Sequence, residues 1–138
     1  MTRPYRAGAA AFARLLQGAD SDLDTQRMLR SLWRGENYQA LATALAMPDE
    51  GLGTAAFLLA EGCVTDSEVF RAASRLLEGQ GPRVTASVLE GLSGMMQFAD
   101  ADTLCRIRTL RDDPDQNVVV RKYARISLER REAMTPPK

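Results

Sequence analysis

Chemistry near neutral pH leans on side chains that exchange protons or bind metals there, and this 138-residue chain has no histidine. Histidine triads, histidine general bases and histidine metal ligands are thereby excluded together. Two cysteines remain as candidate nucleophiles, Cys63 and Cys105, 42 positions apart and without a CxxC pair. With no histidine beside them, a thiolate site or a zinc site would need Asp or Glu partners at ligand spacing, which the sequence does not offer. Both cysteines sit among apolar or helical neighbours and read as buried structural thiols. Asp20, Asp22 and Asp24 alternate like the first half of an EF-hand loop, but Arg27 and Arg30 occupy the stretch where the glycine and the bidentate glutamate should follow. Those acids read instead as a solvated helix start near the positive end of its dipole. Gly51-Leu52-Gly53 lacks the third glycine and the preceding strand of a phosphate loop. Sixteen of the eighteen basic residues are arginines, which suit bidentate recognition of carboxylates or phosphates, yet they are scattered. The residues predict a non-enzyme with no catalytic residue, no cofactor and no metal.

A chain without evident chemistry is read through its scaffold. Apolar residues make up 45% and charged residues 26%, enough to bury one core and too short a chain for two ordinary domains. Eighteen acids cancel eighteen bases, and residues 100–138 hold nine basic against seven acidic side chains, a local excess of only two. Neither nucleic acid nor membrane is therefore expected as a partner. No run is long enough to span a bilayer, and the stretch from Ala7 to Leu16 is interrupted by Arg14, so it lacks the apolar centre of a signal peptide. A cytoplasmic location is the expectation.

Alanine and leucine number 37 against nine valines and isoleucines, which favours helix over strand. Ser21 with Asp24, Thr65 with Glu68 and Asp113 with Gln116 resemble capping boxes, and Pro48, Pro82 and Pro114 suit first helical turns. Gly18, Gly35, Gly62 and Gly79 stand where helices should stop. The map is helices near 5–17, 22–34, 36–47, 49–61, 66–78, 82–97, 101–112 and 115–132, about eight in all. Apolar stripes on Leu41 and Leu45, on Phe70, Ala73 and Leu77, and on Leu104, Ile107 and Leu110 read as core.

The three prolines lie 34 and 32 residues apart, and each precedes a ladder: Leu52-Ala56-Ala60, Val84-Val88-Leu92 and Val120-Ala124-Leu128. That period is about one helical hairpin. A single hairpin cannot bury its stripe, so neighbours should stack, giving an all-α fold of stacked antiparallel hairpins, a TPR- or HEAT-like α-solenoid; an irregular bundle is the alternative. Residues 1–134 form one domain on this reading, closed by a capping helix over 115–132 and followed by a frayed tail at 135–138. The capping helix should turn Val119, Val120, Tyr123, Ile126 and Leu128 inward and Arg121, Lys122, Arg125, Arg130 and Arg131 elsewhere.

Function then falls to a surface, since stacked hairpins curve and leave a concave groove for an amphipathic helix or an extended segment of another protein. The candidates for partner binding are residues apolar beyond one core stripe: Phe57, Leu58 and Leu59, Met95 and Met96 with Phe98, and Trp33 and Tyr38 around the Gly35 turn. Each set points in several directions around its helix, and core filling is the competing role for all of them. Homo- or hetero-oligomers are compatible with such a surface.

The stretch Trp33-Arg34-Gly35-Glu36-Asn37-Tyr38-Gln39-Ala40-Leu41, followed by Ala46-Met47-Pro48-Asp49, resembles the turn of a tetratricopeptide-like hairpin. With Arg75-Leu76-Leu77 and Gly79-Gln80-Gly81-Pro82-Arg83-Val84, residues 10–96 are similar in order and spacing to the tetratricopeptide-like chaperone of type III secretion needle subunits. That resemblance implies a groove holding the amphipathic C-terminal helix of a needle subunit, with a smaller helical co-chaperone alongside. The chain continues for some forty residues beyond what that family generally has, and its segment Asp113 to Arg121 resembles the second helix start of a HEAT-like repeat. The two expectations are thus a secretion chaperone with an apolar groove, or a HEAT-like adaptor or toxin-blocking immunity protein with a polar face. A helical pocket of carboxylates and arginines, serving an enzyme or small-molecule regulator, is the third.

Overall fold

The computed structural model describes residues 22–46 and 52–134. The expected helix over 5–17, the stop at Gly18, the cap at Ser21, Pro48 and the tail over 135–138 lie outside them, as do the side chains of Asp22 and Asp24. The described residues form seven helices: α1 (Asp22–Trp33), α2 (Tyr38–Ala46), α3 (Leu52–Glu61), α4 (Ser67–Ser74), α5 (Pro82–Ser93), α6 (Ala101–Asp112) and α7 (Val118–Ala133). Two 3-10 turns follow α4 and α5, at Arg75–Leu77 and Met96–Phe98, and no strand occurs among the described residues. The fold is all-α.

Local chemistry explains most boundaries. After α1 the chain reverses through Gly35 at φ +77° and Asn37 at φ +62°, left-handed conformations that glycine and asparagine tolerate best. Pro82 stands at the first turn of α5, as expected. The caps differ from the boxes read in the sequence. Asp66, not Thr65, caps α4 by accepting the Val69 N–H at 3.0 Å, and Asn117 caps α7 by accepting that of Val119 at 2.9 Å. Asp113 instead accepts the N–H of Asp115 at 2.9 Å, a local turn that puts Pro114 between helices rather than inside one. Helix α5 stops at Ser93, four residues before the expected end, because the backbone passes through Gly94 into the Met96–Phe98 turn.

The three ladders fall on the three helices that pack in succession, α3 against α5 and α5 against α7. On them Leu52, Ala56, Val88, Leu92, Val120, Ala124 and Leu128 are buried. Helix α2 packs on α4, α6 lies along α7, and α2 with α3 and α4 with α5 also touch. Close approach of α5 to α3 depends on Gly91: a Cβ there would lie 2.4 Å from Leu59 Cγ and 3.1 Å from the Leu59 carbonyl oxygen. The inner core includes Leu32, Leu41, Leu45, Leu77, Leu89 and Met28.

Two expectations about burial are corrected. Cys63 and Cys105 are exposed free thiols, not buried ones. Cys63 lies in the turn after α3 at φ +49°, and Cys105 is two positions from each of the buried α6 residues Thr103 and Ile107, hence on the far side of that helix. Val119 is 48% exposed at the start of α7, where Val120 alone of the three valines turns inward.

Candidate functional site

Each helix in the succession α3, α5, α7 contributes a short stripe to one cleft of about 390 Å³. Helix α3 and its turn supply Leu59, Ala60 and Cys63, with Val64 and Thr65 just beyond. Glu90, Gly91, Ser93 and Gly94 come from the end of α5. Tyr123, Ile126 and Arg130 come from α7, spaced three and four residues apart so that they share a face. Gly94 adds no side chain to the space, Gly91 lets Leu59 approach, and Leu59 and Val64 give the cleft an apolar floor.

Its polar groups are held in place. Arg130 Nη1 donates to Ser93 Oγ at 3.2 Å, while Ser93 Oγ donates to the Glu90 carbonyl at 2.6 Å. One turn earlier, Ser127 Oγ donates to the Leu89 carbonyl at 3.4 Å, so two side chains of α7 bind backbone or hydroxyl groups of α5. Lys122 Nζ, outside the cleft lining, lies 5.8 Å from the centre of the Tyr123 ring, a cation–π distance. In volume the cleft equals roughly a dozen liquid waters, room for a few side chains rather than a whole helix.

No protein-family model, curated protein or solved structure matches this chain. The site therefore rests on its own geometry.

Of the partner-binding residues read from the sequence, Leu59 alone lines the cleft. Leu58, Leu59, Met95 and Met96 are at most 1% exposed, which makes them core, the competing role weighed for them. Met95 also accepts the Asp66 N–H on its sulfur at 3.5 Å. Trp33 and Tyr38 converge on the same loop: Trp33 Nε1 donates to the Glu61 carbonyl at 2.9 Å and the Tyr38 hydroxyl accepts the Thr65 N–H at 3.5 Å. These two brace the α3–α4 connection that forms one lip of the cleft. Phe57 and Phe98 are partly exposed, Phe98 with its ring 6.2 Å from that of Phe70. Sequence reasoning missed Tyr123, Ile126 and Arg130 as site residues, although their common face was legible from spacing.

Elsewhere the charged groups are structural. The Thr103 N–H holds the Asp100 carboxyl below the usual carboxylate range at the start of α6, and the Arg111 guanidinium does the same for Asp112. Arg106 bridges Asp102 at 3.1 Å and Glu78 at 3.7 Å. Exposed pairs of this kind each contribute about 0–1 kcal/mol. Among the described residues no group of three or more Cys, Asp and Glu side chains is placed to hold a metal ion.

Proposed function

We propose that this protein is a non-enzymatic binding module that holds a helical segment of a partner protein against the α3–α5–α7 cleft. The observation that carries the reading is the cleft itself, an apolar floor at Leu59 and Val64 with Tyr123 and Ile126 as its wall and hydrogen-bonded polar groups at its rim. An apolar floor with a few fixed polar groups is the composition that takes up apolar anchors of a peptide and orients them. Stacked helical hairpins, in which α3, α5 and α7 form one layer, are the architecture consistent with the observed packing. A chaperone that shields an amphipathic helix before assembly, such as the secretion chaperones that residues 10–96 resemble, is the most specific form of this proposal.

Site-specific photocrosslinking in the native host tests it. A benzophenone side chain in place of Ile126 or Ala60 is expected to trap one partner at a defined segment, whereas the same group in place of the exposed Arg75 or Arg83 is not. Uniform or absent crosslinking at the cleft positions would overturn the reading. A polar-face adaptor or toxin-blocking immunity protein is favoured by a different feature, the exposed Arg121, Lys122 and Arg125 on α7. Crosslinks from Arg121 and Arg125 in preference to Ile126 would select that alternative.

A further inference from the structure

Helix α7 is covered on one side. Val120, Ala124, Ser127 and Leu128 face the core, while the opposite side stays open along the length of the helix among the described residues. On the open side Val119, Ile126 and Ala133 recur every seven residues and so form one line, with Val119 and Ala133 exposed and Ile126 half-buried. Beside that line the charges are sorted by sign: Arg121, Lys122 and Arg125 fill the first half, Glu129 and Glu132 the second. Arg130 and Arg131 lie off this side, the first tied to Ser93 in the cleft and the second half-buried. Arg125 reaches Glu129 of its own helix at 3.8 Å, but Arg121, Lys122 and Glu132 form no ion pair among the described residues.

We propose that the open side of α7 is an interface for a second copy of this chain, the two helices packing antiparallel about a two-fold axis at Ile126. A face whose charge changes sign at its midpoint sets like on like when two copies run parallel, and opposite on opposite when they run antiparallel. One axis position satisfies every row. Val119 and Ala133, each seven residues from Ile126, meet across the axis, and Ile126 meets its own counterpart. Lys122, four residues before Ile126, faces Glu129, three after it; Arg121, five before, faces Glu132, six after. The mismatch of one residue is about 1.5 Å of rise, well within the reach of lysine and arginine side chains. A contact along one helix of 16 residues, about 24 Å, is small for a specific complex, so the dimer is a weak one. Ile126 also lines the cleft, and the two surfaces meet along that edge; Ala60, on the α3 side, stays clear of the pairing.

Sedimentation velocity of the full chain at low salt, from about 10 µM to about 1 mM, covers the range of a weak complex. The wild type is expected to move from monomer to dimer over that range and back toward monomer as salt is raised. Arg121→Glu with Lys122→Glu leaves Arg125 as the one cation of the open side, and Glu129→Lys with Glu132→Lys makes that side basic throughout. Each double variant alone should stay monomeric with unchanged helical circular dichroism, and dimers should return when the two are mixed. Direction is read with a short bismaleimide in a Cys63→Ser, Cys105→Ser background. Ile126→Cys, on the axis, should be bridged to its counterpart, whereas Val118→Cys, eight residues away and so about 24 Å from its own counterpart, should not. A wild type that stays monomeric to the top of the range, dimers that survive both double variants, double variants that stay apart when mixed, or bridging from Val118 in preference to Ile126 would each overturn the proposal.

Discussion

Gly91 shows how much of this molecule rests on one hydrogen atom in place of a methyl group. Its α-carbon faces Leu59 across the α3–α5 contact, and a methyl 2.4 Å from Leu59 Cγ has to displace either the leucine or the helix. Leu59 is 1% exposed and packed between the two helices, so making way for the methyl disturbs that contact. Gly91→Ala is therefore expected to cost about 1–3 kcal/mol as overpacking, read as a lowered urea midpoint at unchanged slope. Gly94→Ala is the control, because a Cβ there would meet its nearest neighbour, the Gly91 carbonyl oxygen, at 3.8 Å, and it should stay within about 0.5 kcal/mol of wild type. If Gly91→Ala is instead neutral or stabilising, as helix propensity alone would make it, close approach does not explain the glycine. Composition flagged neither position, since a glycine inside a helix looks like a weak spot until its neighbour across the interface is known. The cysteines were misjudged for the same kind of reason: Cys63 follows a helix stop and Cys105 lies off the buried face of α6, and neither fact is carried by an apolar neighbourhood in sequence.

Elements were more legible than residues, because helix type follows from composition and period while helix ends follow from which single residue takes an extended backbone. The spans of α1, α3, α6 and α7 emerge close to those read from sequence. Caps slipped by one to four residues where acids and amides are clustered: Asp66 and Asn117 won over Thr65 and Asp113. Asp100 offers a clean test of a cap. Its carboxylate accepts the Thr103 N–H at 2.8 Å, and that bond, made only to advantage by the ionised form, lowers its pKa from the ordinary value of 3.8. A carboxyl whose pKa is lower in the folded chain than in the unfolded one adds stability above the unfolded value and loses it as pH falls through the folded value. Asp100→Asn keeps a cap that cannot titrate. The midpoint difference between wild type and variant should be constant from neutral pH down to about 3.8, then shift against the wild type below it. A difference that stays flat through that window would show that the ionised cap contributes nothing to α6.

At the scale of the whole molecule, the ladders on α3, α5 and α7 marked faces that the fold buries, but neither their neighbours nor the cleft between them. Stripes reveal which face of a helix is buried and leave open which neighbour buries it, so Tyr123, Ile126 and Arg130 joined Leu59, 64 or more positions earlier, only once α3, α5 and α7 were brought together. The packing pattern carries a further consequence for stability. Each helix meets its near neighbours in sequence, α2 with α3 and α4, α3 with α5, α5 with α7, and α6 with α7. In the stacked arrangement proposed above, free energy would be close to a sum of unit and interface contributions, and an end could be removed without dissolving the rest. A chain stopped after Ala99 lacks α6 and α7 and uncovers the side of α5 that met Val120, Ala124 and Leu128, but it retains the α3–α5 and α2–α4 contacts. The expected result is helical circular dichroism over the remaining residues, a lower urea midpoint and a smaller slope in proportion to the smaller surface exposed on unfolding. Complete loss of helix in that truncation would mean that the seven helices share one indivisible core. The stacked-hairpin architecture behind the proposed function would then fall with it, whereas a folded remnant would show that α6 and α7 form a separable end of the stack.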